Sequence, residues 1–110
     1  MKIFRISYIF VLLLIFPFTV SAGGDAAAGK EKSATCVPCH GESGNSTDPA
    51  FPKLAGQHAD YIVQALTDYK SGKRNNAIMM GFVNMSKQDM EDLAAYFSTQ
   101  DSVLHTPTNY

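Results

Sequence analysis

The chain has 110 residues, a formal net charge of −1 and 45% hydrophobic residues, which allows one domain and little more. Its composition is mildly acidic beyond residue 22 and contains no basic stretch there, which argues against nucleic acid as a partner. The chain lacks tryptophan. A domain of this size has a thin core, so it gains from a large apolar insert or a covalent staple.

Residues 1–22 have the pattern of a signal peptide. Lys2 and Arg5 precede an almost wholly apolar run over residues 6–16, and Val20-Ser21-Ala22 supplies the small residues that a signal peptidase reads. The apolar run is shorter than the ~20 residues of a membrane span. We therefore predict cleavage after residue 22 and export to the periplasm, with an uncleaved anchor as the alternative. Because the leader holds two basic and no acidic residues, cleavage moves the formal charge from −1 to −3.

The first predicted helix covers residues 23–34 and leads into the first cysteine. The stretch is rich in Ala and Lys, and Asp25 has a side chain suited to capping a helix start. Gly29 lowers helix propensity by about 1 kcal/mol relative to Ala. Gly29 either permits the close approach of another helix or is simply tolerated, and the sequence leaves both interpretations open.

The motif Cys36-Val37-Pro38-Cys39-His40 carries the chemistry. Each thiol can add across a vinyl group of haem to form a thioether, and the following imidazole can bind the iron. A disulfide across two residues would close a tiny loop and add little stability. Structural zinc needs four ligands, and three His and two Cys without a second paired cluster do not provide them. We therefore predict one covalently bound haem c.

The segment after His40 has the composition of an irregular loop, from Gly41 to Leu54. Pro52 lacks an N–H group but keeps its carbonyl. A fixed carbonyl could accept a hydrogen bond from the second ring nitrogen of His40, which orients a metal-binding imidazole. The alternative is an ordinary turn proline.

Two further helices are predicted. Residues 58–71 place apolar and aromatic side chains on one face, and Gly72 ends that helix. Residues 86–98 begin with Ser86 at the N-cap, with Asp89 three residues later as a capping box. Residues 101–110 are polar and are predicted to form a flexible tail. No stretch alternates as a strand does, so the predicted fold class is all-α.

Methionines are concentrated in residues 75–85, where we predict neither a helix nor a strand. Met79, Met80 and Met85 lie there. Methionine in a loop usually fills gaps in a core, but its thioether sulfur is also a plausible second axial ligand of haem iron. His58 begins the preceding helix and is a weaker candidate, because most histidines are not ligands.

Residues 24–100 resemble the class I c-type cytochromes, and within them one half of the dihaem cytochrome c-four proteins. The resemblance rests on four segments in order: GDAAAGK at 24–30, CVPCHG at 36–41, FPKLAGQ at 51–57 with Tyr61, and DLAAYF at 92–97. It implies a cytochrome c fold over residues 23–100, with three main helices and loops wrapped around one covalent haem.

The resemblance also implies roles for individual residues. Cys36 and Cys39 would attach the haem, His40 would be the proximal iron ligand, and the Pro52 carbonyl would contact His40. Three further residues would lie near the haem: Gln57 and Tyr61 in the pocket wall, and Arg74 near a propionate. Gly29 would lie where the first and last helices cross, against Tyr96 and Phe97.

The sixth ligand follows from the same resemblance. In these proteins the ligating methionine is followed by one residue, a glycine and a bulky apolar residue. Met79-Met80-Gly81-Phe82 fits this pattern with Met79 as the ligand. Met80 is the alternative, and Met85 is expected to pack as the hydrophobic staple of the last helix.

The function expected from these features is that of a periplasmic electron carrier and not of an enzyme. Histidine and methionine together fill both axial positions, so the iron has no open site for a substrate. Expected partners are a reductase and an oxidase, bound transiently through interfaces below ~1,200 Å². We expect a monomer without stable membrane insertion after cleavage. The alternatives are a haem subunit of a larger dehydrogenase or oxidase, and a gas sensor or peroxidase-like enzyme with a labile sixth ligand.

Overall fold

Residues 23–102, which the computed structural model describes, form four α-helices and no strand. The helices are α1 (Ala26–Lys32), α2 (Val37–His40), α3 (Ala59–Lys70) and α4 (Lys87–Ser98). The all-α prediction is therefore confirmed. Helices α1, α3 and α4 correspond to the three main helices that were expected, while α2 is a single turn formed by the cysteine motif. The predicted signal peptide, and the predicted tail beyond residue 102, lie outside the described residues.

Helix α1 starts where the sequence predicted and ends earlier. The Asp25 carboxylate accepts hydrogen bonds from the amides of Ala27 (2.8 Å) and Ala28 (3.2 Å), so it is the N-cap. The helix stops at Lys32 and continues as a 3₁₀ turn, because the Ser33 hydroxyl donates to the Lys30 carbonyl (2.7 Å). Side-chain hydrogen bonds of this kind compete with the regular helical pattern.

Helices α1 and α4 cross at Gly29. A Cβ added to Gly29 would overlap the carbonyl oxygen of Asp92 and lie 2.8 Å from the Cβ of Tyr96. The backbone of α1 thus touches the backbone of α4, which leaves room only for glycine. The structure favours the close-approach interpretation of Gly29 over simple tolerance.

The same crossing is closed by the buried carboxylate of Asp92, which is 3% exposed. Its oxygens accept from the Asp25 amide (2.8 Å), the Lys32 ammonium (2.5 Å) and the Gln88 amide group (2.8 Å). The hydrogen bond from Lys32 is the main cause that lowers the pKa of Asp92 to about 2. Lys32 also pairs with Asp89 at 2.7 Å and holds the pKa of that carboxyl well below its usual value.

Helix α4 has the predicted capping box. The Asp89 amide donates to the Ser86 hydroxyl oxygen (3.1 Å), and the Ser86 amide donates to the Asp89 carboxylate (2.9 Å). The buried face of α4 meets α3 in a small core of five side chains: Ile62, Leu93, Ala94, Tyr96 and Phe97. Met85 packs against this core.

The connection between α3 and α4 is irregular, with one 3₁₀ turn at Met79–Gly81. The prediction of neither helix nor strand for residues 75–85 therefore missed only this short turn. After α4 the chain stays attached to the domain, since the Asn45 side chain donates to the Asp101 carbonyl (2.9 Å). Within residues 23–102, no helix is both long and apolar enough to cross a membrane.

Candidate functional site

A cleft of about 280 Å³ lies between α2, α3 and the loop that precedes α4. Its walls are mainly aliphatic and aromatic, formed by Ala50, Phe51, Leu54, Ile62, Ala65, Leu66, Phe82, Leu93 and Phe97. All the residues predicted for the site line this one cleft: Cys36, Cys39, His40, Pro52, Gln57, Tyr61, Arg74 and Met79. The structure thus brings together side chains that are up to 43 residues apart in the sequence (from Cys36 to Met79).

Helix α2 and its N-cap residue place three reactive side chains at the cleft. The His40 amide donates to the Cys36 carbonyl at 2.9 Å, which closes a single helical turn. Residues three and four positions apart share a face of a helix, so Cys36, Cys39 and His40 lie side by side. Gly41 ends the turn with a positive φ of 82°, a conformation that favours glycine.

Both cysteines are free thiols in the structure. Burial raises the pKa of the Cys36 thiol above its ordinary value. Redox-active thiol pairs need the opposite shift, since the thiolate is the reactive species. The burial of Cys36 therefore does not favour the reactive thiolate that a thioredoxin-like pair needs.

His40 is buried, with 6% of its surface exposed, and its ring is oriented by Pro52. The Nδ1 atom lies 2.8 Å from the Pro52 carbonyl oxygen. A carbonyl oxygen only accepts, so Nδ1 carries the ring proton and the lone pair of Nε2 is left for a metal. The contact expected between Pro52 and His40 is present in the structure.

The two adjacent methionines have different environments. Met79 lines the cleft, while Met80 does not line it and is 46% exposed. Of this adjacent pair, only Met79 is therefore placed to offer its sulfur to the cleft. Met85 also touches the cleft, but its side chain belongs to the packing under α4.

Arg74 lies between two tyrosine rings at the cleft. Its guanidinium donates to the Tyr61 hydroxyl (3.4 Å), and its Cζ atom lies 5.2 Å from the centre of the Tyr69 ring. Cation–π contacts of this kind hold the charged group in place. Gln57 also lines the cleft, and its side-chain oxygen Oε1 accepts from the backbone amide of His58 (2.9 Å). His58 itself is exposed and does not line the cleft.

Sequence reasoning assigned no role in the site to Tyr69, Lys53 or Asn76, which line the cleft as well. Tyr69 lies on the predicted apolar face of α3, so its position follows from the helical period. Asn76 had a weaker signal, because an asparagine two or three residues before a turn commonly caps that turn with its side chain.

Residues 26–101 match the family model for cytochrome c. The chain belongs to the cytochrome c family. Its relatives include cytochrome c4 of Pseudomonas aeruginosa, 52% identical over 80 residues that cover 72% of this chain and 40% of that protein. Cytochrome c-554(548) of Halomonas halodenitrificans is 43% identical over 82 residues, covering 71% of this chain and 99% of that protein.

Solved structures agree with this assignment. Reduced cytochrome c4 from Pseudomonas stutzeri superposes with a TM-score of 0.68 at 46% identity, covering 71% of this chain and 46% of that one. Thiosulfate dehydrogenase (TsdBA) from Marichromatium purpuratum matches with a TM-score of 0.68 at 32% identity, covering 73% of this chain and 20% of that one. The predicted cytochrome c fold is thereby confirmed, although the chain spans only about 40% of the first cytochrome c4 relative.

The cofactor of this family is covalently attached haem c. The cleft fits that group in its chemistry. It offers two thiols for thioether bonds, an imidazole with a free Nε2, a thioether sulfur, apolar walls and an arginine for an acidic substituent. Because the chain has only two cysteines, it provides for one haem.

Proposed function

We propose that the protein is a monohaem electron carrier of the periplasm, with histidine and methionine as the axial iron ligands. One observation carries the proposal. An imidazole with a free Nε2 and a methionine line the same apolar cleft, and the two thiols lie on the helical turn that bears the imidazole. This donor set suits an iron that exchanges electrons without binding a substrate.

Each donor has a distinct task in this proposal. Cys36 and Cys39 hold the cofactor through thioether bonds, and His40 binds the iron through Nε2 while Pro52 fixes the ring. Met79 supplies the sixth ligand. Haem c contributes an iron that alternates between the ferrous and ferric states, and a methionine ligand raises its reduction potential relative to stronger donors.

The surrounding residues exclude water and balance charge. The aromatic and aliphatic walls keep the site at low polarity, which also tunes the potential. Arg74 is the cationic group held at the cleft by Tyr61 and Tyr69, and it is suited to face a propionate. With both axial positions filled, no coordination site is left for oxygen or peroxide. This favours a carrier over an enzyme.

The location follows from the leader. The signal-peptide pattern of residues 1–22 supports the periplasm. A mass spectrum of the exported protein tests cleavage and haem attachment in one measurement. The expected mass is that of residues 23–110 plus one haem. An unmodified mass with reactive thiols would contradict the proposal.

The ligand assignment is tested by a matched pair of variants. Met79→Ala is expected to abolish the weak sulfur-to-iron absorption band of the oxidised protein. Met80→Ala removes the same type of side chain at the next position, where the methionine is exposed. This variant is expected to keep the band. Loss of the band in Met80→Ala alone would reassign the ligand.

Carbon monoxide separates the carrier from a gas sensor or peroxidase-like enzyme. A sensor or an enzyme needs a sixth position that opens easily. The reduced protein at neutral pH is therefore expected to show no rapid shift of its Soret band when carbon monoxide is added. A rapid shift would show that the sixth ligand is labile and would contradict the carrier assignment.

A second candidate is a haem subunit of a dehydrogenase. It is favoured by the likeness to thiosulfate dehydrogenase (TsdBA), in which a domain similar to this chain makes up 20% of a longer chain. Purification from the native host at low salt separates the two candidates. Elution with another polypeptide at fixed stoichiometry would favour the subunit, and elution as a free monomer would favour the carrier.

A further inference from the structure

The turn that bears Met79 receives little support from packing. Residues 71–73, 75 and 77 are exposed and do not line the cleft, and Met80 on the far side of Met79 is 46% exposed. A methionine side chain has three rotatable bonds, so its sulfur is placed only as well as its backbone is held. Polar contacts must therefore provide what burial does not.

The loop between α3 and α4 is hydrogen-bonded to α3 near both of its ends, at Arg74 and at Met85. The Arg74 amide donates to the Asp68 carbonyl (2.9 Å), and the Lys70 ammonium donates to the Met85 carbonyl (2.6 Å). Neither contact reaches the middle of the segment. The 3₁₀ turn at Met79–Gly81 lies beside α3, but within residues 23–102 no hydrogen bond from α3 reaches it, so its polar support must come from another residue.

Asn76 provides it through three hydrogen bonds. Its side-chain oxygen accepts from the Ile78 amide (3.0 Å) and from the Met79 amide (3.1 Å). Its backbone carbonyl accepts from the Met80 amide (3.0 Å). One residue thus holds three consecutive N–H groups, with that of Met79 in the centre.

Gly81 does not perform this task. Gly81 does not have a positive φ, and a Cβ placed on it would meet no atom within 4 Å. The shape of the turn therefore does not depend on the freedom of a glycine. The hydrogen-bonding capacity of Asn76 sets it.

We propose that Asn76 is a positioning residue for the sixth ligand, which acts by holding the backbone of Met79 toward the cleft. The inference rests on the proposed ligation of iron by Met79. Without the side-chain oxygen, two amides lose their acceptor, the turn opens more easily, and the sulfur leaves the iron more often. The rest of the fold is expected to be unaffected, because within residues 23–102 Asn76 makes no hydrogen bond to α1, α3 or α4.

The experiment follows the sulfur-to-iron band of the oxidised holoprotein as the pH is raised. In Asn76→Ala the constant for release of the methionine is expected to rise about tenfold, the effect of roughly one hydrogen bond. For release linked to one proton, the midpoint pH falls by about one unit. Asn76→Asp keeps an oxygen acceptor at the same position and is expected to restore the midpoint.

Asn75→Ala is the matched control. Asn75 is the neighbouring exposed asparagine, and within residues 23–102 its side chain makes no hydrogen bond. Its removal is expected to leave the midpoint unchanged. Thermal unfolding followed by far-ultraviolet circular dichroism should be the same for all three variants, which separates positioning of the ligand from general stability.

The possible outcomes separate the positioning role of Asn76 from the ligation of iron by Met79. If the unaltered protein lacks the band, ligation by Met79 is wrong. If the unaltered protein has the band and Asn76→Ala keeps the original midpoint, the positioning role is overturned. Should Asn76→Ala fail to yield holoprotein, Asn76→Gln provides a milder displacement of the same oxygen, and an unchanged midpoint in that variant would likewise overturn it.

Discussion

The crossing of α1 and α4 and the loop over residues 71–85 are built in opposite ways. At the crossing, backbone touches backbone at Gly29, and the buried Asp92 carboxylate joins three donors from both helices. In the loop, most side chains are exposed and a single turn is held by Asn76. The crossing therefore supports the whole fold, whereas the middle of the loop supports the side chain of Met79.

This difference implies two levels of stability in one small domain. Segments with few buried contacts open at a lower free energy than the global unfolding of the protein. The axial imidazole belongs to the firmly held part, since His40 is buried and bonded to Pro52. The proposed axial sulfur belongs to the weakly held part. Changes in the crossing should therefore unfold the molecule, and changes in the loop should affect only ligation.

The largest effect is expected from Gly29→Ala. The new Cβ would overlap the Asp92 carbonyl oxygen, and a backbone atom cannot move aside as a side chain can. Overpacking typically costs 1–3 kcal/mol, so we expect a loss of about 3 kcal/mol in the free energy of unfolding, despite the better helix propensity of alanine. Urea unfolding followed by circular dichroism measures it.

Gly23→Ala is the control for this substitution. A Cβ added to Gly23 would meet no atom within 4 Å. Its replacement is expected to leave the urea midpoint unchanged. Equal stability of the Gly29→Ala and Gly23→Ala proteins would mean that the helices separate easily, and it would remove the contrast between the crossing and the loop.

Asp92→Asn is expected to have the next largest effect. The substitution keeps one acceptor for the Asp25 amide but removes the charge that pairs with Lys32. A buried group that loses its hydrogen-bonding or charged partner lowers the free energy of unfolding by about 1–3 kcal/mol. The neighbouring Glu91→Gln is the control, because Glu91 forms only a surface pair with Lys87 that is worth about 0.5 kcal/mol. A larger loss for Glu91→Gln than for Asp92→Asn would contradict the assignment.

The same carboxylate predicts how stability depends on acid. The folded-state pKa of Asp92 is about 2, below its ordinary value of 3.8. A lowered pKa stabilises the fold above the unfolded-state value, and that stabilisation is lost as the pH falls through the folded-state value. Stability should therefore decline between about pH 4 and about pH 2. Asp92→Asn should show a shallower decline in acid unfolding curves, and a decline as steep as that of the unaltered protein would contradict the role of Asp92.

Much of the fold and of the site could be predicted because the signals are local. The capping box of α4 lies within four residues, and the cysteine motif within five. The helical period then sets the faces of α3 and α4. The contact of Pro52 with His40, and the location of Met79 rather than Met80 in the cleft, were expected from a resemblance that includes order and spacing, since composition alone left both open.

The rest depends on contacts between distant parts of the chain or on weak local competition. Asp92 and Lys32 are 60 residues apart, and no pattern along the chain pairs them. The early end of α1 is decided by one hydroxyl bond of Ser33. The role proposed for Asn76 depends on which of the two adjacent asparagines, Asn75 or Asn76, faces the turn. Because the two residues are identical, the sequence does not indicate which one does.

The smallest effect is expected from Lys70→Met, which tests the far end of the loop. The variant keeps an apolar chain of similar length but loses the 2.6 Å bond to the Met85 carbonyl. An exposed bond of this kind contributes about 0.5–1 kcal/mol, and only to the loop. Amide hydrogen exchange of residues 75–85 should become several-fold faster while the urea midpoint stays the same.

Lys73→Met is the control, because Lys73 is 75% exposed and lies 3.9 Å from its nearest carboxylate, so exchange in the loop should not change. Slower global refolding or a lowered urea midpoint in Lys70→Met would mean that the loop is coupled to the crossing, and the two regions would then form a single cooperative unit.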